Sequence, residues 1–517
     1  MTLREGGSSL PASRHARAAR GRSLAVSVRS LLRRHWAPLV LVAIVALGAG
    51  LRASQAADPG RYLSSDERSY ARVALSLAHG TGYEAPGLSD PWHWAPGAPV
   101  LFGLAHLLAP GADGAGAPAD LRTAFWAQAV VGTALILVLY LLAAGLAGPP
   151  AGLIAALAAA TYPPLVSATG DLVSELLGAL TLALAMLALL GAWRRPSVPR
   201  LALTGLALGA AMLVRADLLV LPMVLGCAWL LLARRGSGLR AAAGQAAIIV
   251  VVPLLIVTPW IVYASSRAGR FVPIASSGPS TLFVGTYLPG EGKMSGVRRE
   301  LEPFVRRQMS NLHDVRIANV KGEFVLRAYI RERHPELVPA PYRAIPDADV
   351  RRALSFEARR NLKTYAAGRP IAFAGMELRK VTRMWGGAYR GGTRNPRPWI
   401  TTWHLALLGL ALAGAAAGLG LARRRRPELA LLLVPVLLST AVNAAFVAQA
   451  RHNLRVLPLL VVAGSAGAVL ALRALRERGT ELPPEADPPG SQIRVTRRMH
   501  LPEILVRDRR RERTTVS

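Results

Sequence analysis

Long apolar runs separated by short clusters of arginine are the feature that most constrains this chain. The runs are rich in Leu, Ala, Val and Gly, and most approach the length of about 20 residues that a helix needs to cross a bilayer core. Ten such runs cover residues 36–52, 123–147, 151–168, 172–193, 200–214, 216–233, 243–264, 403–422, 428–447 and 454–472. The pattern predicts an all-α polytopic membrane protein with about ten transmembrane helices.

Composition excludes several other classes of protein. The chain has 517 residues, of which 52% are hydrophobic and 18% charged, and these values exclude a disordered chain. The net charge of +32 is typical of nucleic-acid-binding proteins. Its arginines, however, lie mainly at the ends of apolar runs or in the tails, without a nucleic-acid-binding motif, so we predict no nucleic-acid partner. The single cysteine, Cys227, excludes an intramolecular disulfide and a multi-thiolate metal site.

The arginine clusters also predict an orientation, because positively charged short loops face the cytoplasm. An eleventh run, Val100–Ala109, is too short to span a bilayer and lies between two prolines. If it does not cross, all the short arginine-rich loops fall on one side. We therefore predict an interfacial or half-embedded helix there, both termini in the cytoplasm, and a place in the inner or plasma membrane. Arginines at both ends of residues 200–233 predict a hairpin that turns near Arg215.

Two segments on the outer side are too long to be simple connections. The predicted organisation is a basic cytoplasmic tail (1–35), an N-terminal transmembrane module (36–264) with a first extracytoplasmic loop (53–122), a large extracytoplasmic loop (265–402), C-terminal transmembrane helices (403–473) and a flexible cytoplasmic tail (474–517). Both outer loops are therefore candidates for a functional site.

The first outer loop opens with a pair of acidic residues in two possible roles. Ser64 and Glu67 have the spacing of a helix capping box, and acidic residues are favoured in the first turn of a helix. Asp66 and Glu67 also follow the first span directly, at the membrane surface. Partial desolvation there raises a carboxylate's pKa toward that of a useful general base. Spacing alone fits both a cap and a catalytic group.

The order of motifs in this loop resembles that of a known superfamily. The loop contains Asp66-Glu67 followed by Tyr70-Ala71, then Gly80-Thr81-Gly82-Tyr83, then Trp94-Ala95-Pro96-Gly97-Ala98-Pro99. This series resembles the polyprenyl-phosphate-sugar-dependent, integral-membrane C-type glycosyltransferases, which include protein O-mannosyltransferases and the aminoarabinose transferases of lipid A. Members place an Asp-Glu pair in the first outer loop, before a Pro-Pro-Gly-Tyr-Pro-like element. Here Ala95 and Ala98 replace a common proline and a common aromatic residue.

Later segments extend the resemblance from about residue 36 to 472. They are Tyr162-Pro163 with Gly170–Glu175, Leu213–Asp217, Leu282–Thr286 and Arg451–Pro458. They resemble, in order, an outer turn with a second acid, an arginine-acid turn, a glycine segment that opens the large loop, and an arginine-proline element before the last span. Each also has a plain structural interpretation, such as polarity at the membrane interface or a hairpin turn, although ionisable residues at membrane depth are usually functional.

The resemblance implies transfer of a sugar, with inversion, from a polyprenyl-phosphate donor to an extracytoplasmic acceptor within the catalytic module 36–264. Such a reaction needs cations for the leaving phosphate and a carboxylate base for the attacking hydroxyl. We predict Asp66 as the base, aided by Glu67. The donor-phosphate residues are predicted to be Arg215, Arg451 and Arg455, and the secondary substrate residues Tyr70, Asp171 and Glu175.

The ten histidines show no metal-ligand spacing, so no resident cofactor is predicted, with a divalent metal ion left open. Two alternatives to a glycosyltransferase of this kind remain. A transporter or lipid flippase also needs charges in the membrane but often shows paired repeats. A polysaccharide ligase or polymerase uses the same donor class. The sugar, whether hexose or pentose, and the acceptor, whether lipid, glycan or protein, are not specified by these motifs.

Overall fold

The computed structural model describes residues 36–57, 63–85, 88, 90–108, 121–308, 315–337, 347–389 and 398–480. These residues form helices and connecting segments, with no strand among them. By its contacts the chain divides into residues 1–474 and residues 475–517. The described part of the second unit, residues 475–480, is the end of the last helix. The predicted tail 1–35, and the predicted C-terminal tail beyond residue 480, lie outside the described residues.

Eight of the described helices are long and apolar enough to cross a membrane. Numbered in chain order, the spans are α1 (Trp36–Ala56), α4 (Arg122–Ala147), α7 (Glu175–Arg194), Ala216–Ser237 with α9 (Leu221–Ser237), α10 (Leu239–Ala268), α17 (Pro398–Leu421), Arg423–Ala445 with α18 (Arg426–Ala445), and Leu457–Glu477 within α19 (Leu457–Thr480). A ninth span is counted if α5 (Pro149–Thr161) and the segment Pro163–Gly170, which begins with α6 (Pro163–Ser167), are taken as one span despite the bend of 56° between them. The polytopic all-α class predicted from the sequence is confirmed.

The tenth predicted span, residues 200–214, is the helix α8 (Val198–Val214). Its 17 residues stand at the lower limit for crossing a bilayer. α8 packs between α7 and α10, and at Arg215 the chain turns toward α9, as the hairpin pattern predicted. Whether α8 crosses the whole membrane stays a prediction.

Two helices, α2 (Ser65–Ala78) and α3 (Gly97–Leu108), lie between α1 and α4. α2 begins with the predicted capping box, in which the side chains of Ser64 and Glu67 each accept a hydrogen bond from the other's backbone N–H. It ends at Ala78, because Gly80 follows with a φ of 71° that favours glycine.

α3 carries an apolar stripe that the described residues leave largely exposed. Val100, Leu104, Leu107 and Leu108 repeat at helical spacing, and each is about half exposed or more. On the opposite face Phe102 is fully buried. A short helix with this pattern is typical of the membrane interface, as the sequence predicted for this run.

The large loop forms a helical layer with a hydrophobic core of its own. Its helices are α11 (Gly278–Thr286), α12 (Met294–Glu300), α13 (Glu302–Gln308), α14 (Gly322–Arg333), α15 (Asp347–Asn361) and α16 (Pro370–Trp385). Phe283, Val305, Val325 and Leu354 are among the residues that share the core.

The end of α16 contacts two helices of the bundle, α17 and α18. Trp385 Nε1 donates to Thr440 Oγ1 of α18 at 3.1 Å, and the Trp385 carbonyl accepts from His404 Nε2 of α17 at 2.6 Å. On the exposed side of α16, Ile371 and Leu378 are two turns apart and lie on one face. The large loop is therefore anchored to α17 and α18.

Close packing against α18 explains why the segment that opens the large loop contains Gly285. A Cβ at this position would overlap the Phe446 carbonyl, directly after the end of α18, and the Gly285 carbonyl accepts from Lys380 Nζ at 2.9 Å. We expect Gly285→Ala to destabilise the protein by about 1–3 kcal/mol, the range for overpacking. Its thermal unfolding midpoint in detergent should fall below that of Gly278→Ala, a control on the same helix where a Cβ meets nothing within 4 Å. Equal midpoints would mean that the close approach at Gly285 is dispensable.

The predicted orientation can be tested by labelling with a membrane-impermeant thiol reagent. Two exposed positions, Arg352 in the large loop and Ser237 at the end of α9, are suited to single cysteines in a Cys227→Ala background. Positively charged short loops face the cytoplasm, so the Arg352→Cys protein should label in intact cells and the Ser237→Cys protein only after permeabilisation. The reverse pattern would contradict the orientation.

Candidate active site

Charged side chains from four distant segments meet at one end of the helix bundle. They are Asp66 at the start of α2, Glu175 at the start of α7, Arg215 and Asp217 between α8 and α9, and Arg451 and Arg455 between α18 and α19. Each segment lies at the end of a helix of the bundle or directly after one. The packing of the bundle therefore brings together residues up to 385 positions apart.

Arg451 joins the first-loop acid to the acid of α7. Its Nη1 atom donates to Asp66 Oδ2 at 2.8 Å, and its Nε atom lies 3.7 Å from Glu175 Oε1. The same Glu175 oxygen lies 3.4 Å from Arg215 Nη1. Glu175 is nearly fully buried and is held between two guanidinium groups.

Arg215 continues this series of contacts toward Arg455. Its Nε atom donates to Asp217 Oδ1 at 3.3 Å, and its Nη1 atom donates to Ser174 Oγ at 2.9 Å. The other Asp217 oxygen pairs with the fully buried Arg455. Three carboxylates and three guanidinium groups thus alternate, which allows all six charges to be buried or half-buried together.

Burial and the neighbouring charges shift the three arginines differently. For Arg451 and Arg215 burial alone lowers the pKa, but adjacent carboxylates outweigh burial and raise it above its ordinary value. For Arg455 burial dominates over the attraction of Asp217 and lowers the pKa to about 10. All three remain cations at neutral pH.

Buried nitrogen atoms without a hydrogen-bond partner are concentrated between α18 and α19. Within the described residues, Arg451 Nε, His452 Nδ1 and two atoms of Arg455, Nε and Nη1, have no such partner. A buried polar group left unsatisfied costs about 1–3 kcal/mol, and more when it is charged. Their grouping makes the segment between α18 and α19 a candidate for binding a polar ligand.

The carboxylate of Glu67 is buried and held by backbone N–H groups. Its carboxylate accepts from the backbone N–H of Ser64 at 2.8 Å and from that of Leu172 at 3.0 Å, and the residue is 3% exposed. It fixes the start of α2 against the turn before α7. Asp66, whose side chain is 29% exposed, is the more accessible carboxylate of the pair.

Tyr70 and Asp171 are placed near the cluster by contacts with the protein. Tyr70 is buried, stacks on Trp94 with ring centroids 5.1 Å apart, and donates to Ser174 Oγ at 3.2 Å. Burial raises the Tyr70 pKa above its ordinary value. Asp171 Oδ2 accepts from Tyr389 Oη at 2.6 Å. Both residues therefore position the segments that carry Asp66 and Glu175.

Sequence patterns did not assign several residues of the site. Asp217 was visible in the arginine-acid turn, but it was not assigned a role, whereas Ser174 and Tyr389 carry no signal of their own. Arg298, in α12 of the large loop, lies close enough to Asp66 for the carboxylate to oppose the lowering of its pKa by burial. Its buried Nε atom has no hydrogen-bond partner among the described residues.

The described residues contain no group of three or more His, Cys, Asp or Glu side chains placed to hold a metal ion. The carboxylates of Asp66, Glu175 and Asp217 each face a guanidinium group instead. The predicted lack of a resident cofactor, and the role of a divalent ion, stay predictions.

Part of this chain is similar in sequence to a known protein family. Residues 118–263 match the family described as dolichyl-phosphate-mannose-protein mannosyltransferase. No curated protein matches the chain. The matched residues run from the beginning of α4 to near the end of α10, so they include Asp171, Glu175, Arg215 and Asp217.

Solved structures with the same fold come from an archaeal enzyme. The oligosaccharyltransferase AglB of Archaeoglobus fulgidus, in complex with an inhibitory peptide and a dolichol-phosphate, is 16% identical, with 86% of this chain and 51% of that chain covered and a TM-score of 0.50. The A. fulgidus oligosaccharyltransferase tethered with an acceptor peptide gives 15% identity, 87% and 50% coverage and a TM-score of 0.51.

A third solved structure gives a lower TM-score. ArnT of Cupriavidus metallidurans bound to undecaprenyl phosphate is 16% identical, with 86% of this chain and 78% of that chain covered and a TM-score of 0.39. The chain spans about half the length of the archaeal structures. In its sequence over residues 118–263 and in its fold over most of its length, the chain resembles the integral-membrane C-type glycosyltransferases.

Proposed function

We propose that this protein is an inverting membrane glycosyltransferase that moves a sugar from a polyprenyl-phosphate donor to an extracytoplasmic acceptor. The observation that carries the proposal is the contact between Asp66 and Arg451 beside the unsatisfied guanidinium nitrogens of Arg451 and Arg455. A carboxylate and an anion-binding group thus lie side by side, and the reaction needs one of each.

The transfer then follows from the charges. The acceptor hydroxyl attacks the anomeric carbon, its proton passes to the Asp66 carboxylate, and the bond from the anomeric carbon to the phosphate oxygen breaks. The phosphate leaves with the electron pair and gains negative charge, which Arg451 and Arg455 stabilise. A single displacement inverts the anomeric configuration and requires no covalent intermediate with the protein.

Arg215 has a more structural position than the other two arginines. It already contacts Ser174, Glu175 and Asp217, and its contribution to phosphate binding is proposed to combine direct attraction with the positioning of these carboxylates. Asp171 and Glu175 remain the proposed secondary acids.

The comparisons support a lipid-linked donor. The family matched by residues 118–263 is described by its use of dolichyl-phosphate-mannose, and the archaeal oligosaccharyltransferase of similar fold was solved with a dolichol-phosphate. The exposed apolar stripe of α3 fits a site near the membrane surface, where such a lipid lies. We propose that both termini are cytoplasmic and that the site faces the outer side of the cell membrane.

The proposal is tested by glycan profiling and lipid extraction of a strain that lacks the protein. A sugar should disappear from one envelope glycan, lipid or protein, and the corresponding polyprenyl-phosphate monosaccharide should accumulate. Wild-type protein should reverse both changes, and Asp66→Asn should reverse neither. Unchanged glycans and lipids would contradict the proposal, and complementation by Asp66→Asn would favour a transporter or flippase. Loss of polymer length or of its attachment, with every sugar retained, would favour a polysaccharide polymerase or ligase.

A further inference from the structure

The segment that carries two of the arginines is tied to the large loop through one side chain. Arg451 belongs to a short 3-10 turn, Ala450–Asn453, and Arg455 follows it. Residues 450–455 are called the arginine turn below. Asn453 lies between the two arginines in the sequence and is fully buried, yet the transfer described above gives it no role.

Asn453 supplies hydrogen bonds that the end of α16 lacks. The last carbonyl groups of a helix have no partner within the helix. Asn453 Nδ2 donates to the Met384 carbonyl, in the last turn of α16, at 2.6 Å and to the Gly387 carbonyl just beyond it at 3.3 Å. A carbonyl can only accept, so these two distances fix which end of the amide faces α16. Asn453 Oδ1 is buried without a hydrogen-bond partner among the described residues, so the donor contacts are the ones that hold this side chain.

The end of α16 is a fixed support for these bonds. Within α16, the buried Lys380 donates to the Gly285 carbonyl of α11 at 2.9 Å, which binds α16 to the opening helix of the large loop. Beyond α16, Tyr389 Oη donates to Asp171 Oδ2 at 2.6 Å. The large loop is therefore held on both sides of the point that Asn453 contacts.

Backbone hydrogen bonds connect Asn453 to both arginines. The Leu454 N–H donates to the Arg451 carbonyl at 3.2 Å, and the Val456 N–H donates to the Asn453 carbonyl at 3.0 Å. Arg451 and Arg455 are each two residues from Asn453, so a shift of the turn at Asn453 displaces both. Arginine binds phosphate through a planar fork of N–H groups, whose contribution depends on its placement.

Resting on the proposed function, we propose that Asn453 is a positioning residue that holds the arginine turn against the end of the large loop, so that Arg451 and Arg455 are set to bind the donor phosphate. Its amide N–H groups are engaged by Met384 and Gly387, and its oxygen can only accept, as can the oxygens of an ionised phosphate. Asn453 therefore acts on the phosphate through the arginines and not by direct contact.

Asn453→Asp removes both donor contacts and keeps the shape of the side chain. Binding of polyprenyl phosphate and thermal unfolding are measured on the same purified full-length protein. We expect folded Asn453→Asp to bind the lipid about 3- to 10-fold more weakly, a part of the effect of a charge-assisted hydrogen bond. Asn453→Ala, which places no carboxylate against the carbonyls, should show a similar loss and serves if the Asp variant does not fold.

Asn361→Asp is the matched control. Asn361 is also buried and lies in the large loop, where its Nδ2 atom donates to Thr286 Oγ1 at 3.4 Å. The substitution should lower the thermal unfolding midpoint and leave lipid binding by the folded protein unchanged.

A double-mutant cycle with Arg455→Ala separates positioning from a general loss of structure. If Asn453 acts through the arginines, its substitution should weaken lipid binding less in the Arg455→Ala background than in the wild-type background. An equal fold-change in both backgrounds would overturn the proposal, as would unchanged binding by the folded Asn453 variants or an equal loss in Asn361→Asp. Failure of the wild-type protein to bind polyprenyl phosphate would instead contradict the proposed function itself.

Discussion

Replacement of Asp66 by Asn is expected to lower the turnover of the purified protein by about 10²–10⁴, the range for loss of a general base. Asn keeps the shape of the side chain and is tolerated in the first turn of α2, but it cannot take the proton of the acceptor hydroxyl. Arg451 keeps its contact with Glu175 in this variant. Folding and polyprenyl-phosphate binding should therefore survive, and turnover should be measured with binding and thermal unfolding on the same sample.

Glu67→Gln is the matched control for this prediction. Glu67 accepts from two backbone N–H groups, of Ser64 and Leu172, and the single amide oxygen of Gln leaves less capacity for both. An unsatisfied buried N–H costs about 1–3 kcal/mol, so Glu67→Gln should lose mainly stability and, where folded, turn over nearly as wild type. A folded but inactive Glu67→Gln with an active Asp66→Asn would reverse the two roles. Full activity in both would move the base to Asp171 or Glu175.

Replacement of Arg451 or Arg455 by Ala is expected to weaken the binding of polyprenyl phosphate about 10- to 100-fold. Each charge-assisted hydrogen bond contributes about 1.5–3 kcal/mol, and both side chains have buried nitrogens without a hydrogen-bond partner in the described part of the chain. Lys keeps the positive charge but loses the planar fork of Arg, so the Lys variants should fall between Ala and wild type. Arg215→Ala should weaken the same binding, because Glu175 and Asp217 lose a shared partner.

Arg267→Ala is the control for a general loss of charge. Arg267 follows the apolar core of α10, pairs with Glu84 and is 59% exposed, so its removal should leave lipid binding unchanged. Unchanged binding in the Ala variants of Arg215, Arg451 and Arg455 would remove all three from the phosphate site. A loss in Arg267→Ala as large as in Arg451→Ala would mean that only the overall positive charge matters.

The sequence by itself determined the elements that depend on local patterns. Apolar runs of spanning length can be satisfied in a membrane only as helices, so α1, α4, α7 and α10 were predictable from composition and length. The capping box at Ser64 and Glu67 follows from side-chain contacts within a few residues, and the end of α2 from the backbone conformation that Gly80 adopts. The hairpin at Arg215 was visible because arginines flank both ends of its two apolar runs.

The tertiary structure alone decided which charged groups meet and what each one does. Asp66 and Glu67 are neighbours in the sequence but have different partners. Glu67 accepts a hydrogen bond from the backbone N–H of Leu172, whereas Asp66 pairs with Arg451, 385 residues away. The buried contact of Arg455 with Asp217 depends on how α18 and α19 pack against the turn at Arg215 and Asp217. Local patterns carry no information on such contacts, because the strength of a charge pair depends on distance and burial, which only the packing of distant helices sets.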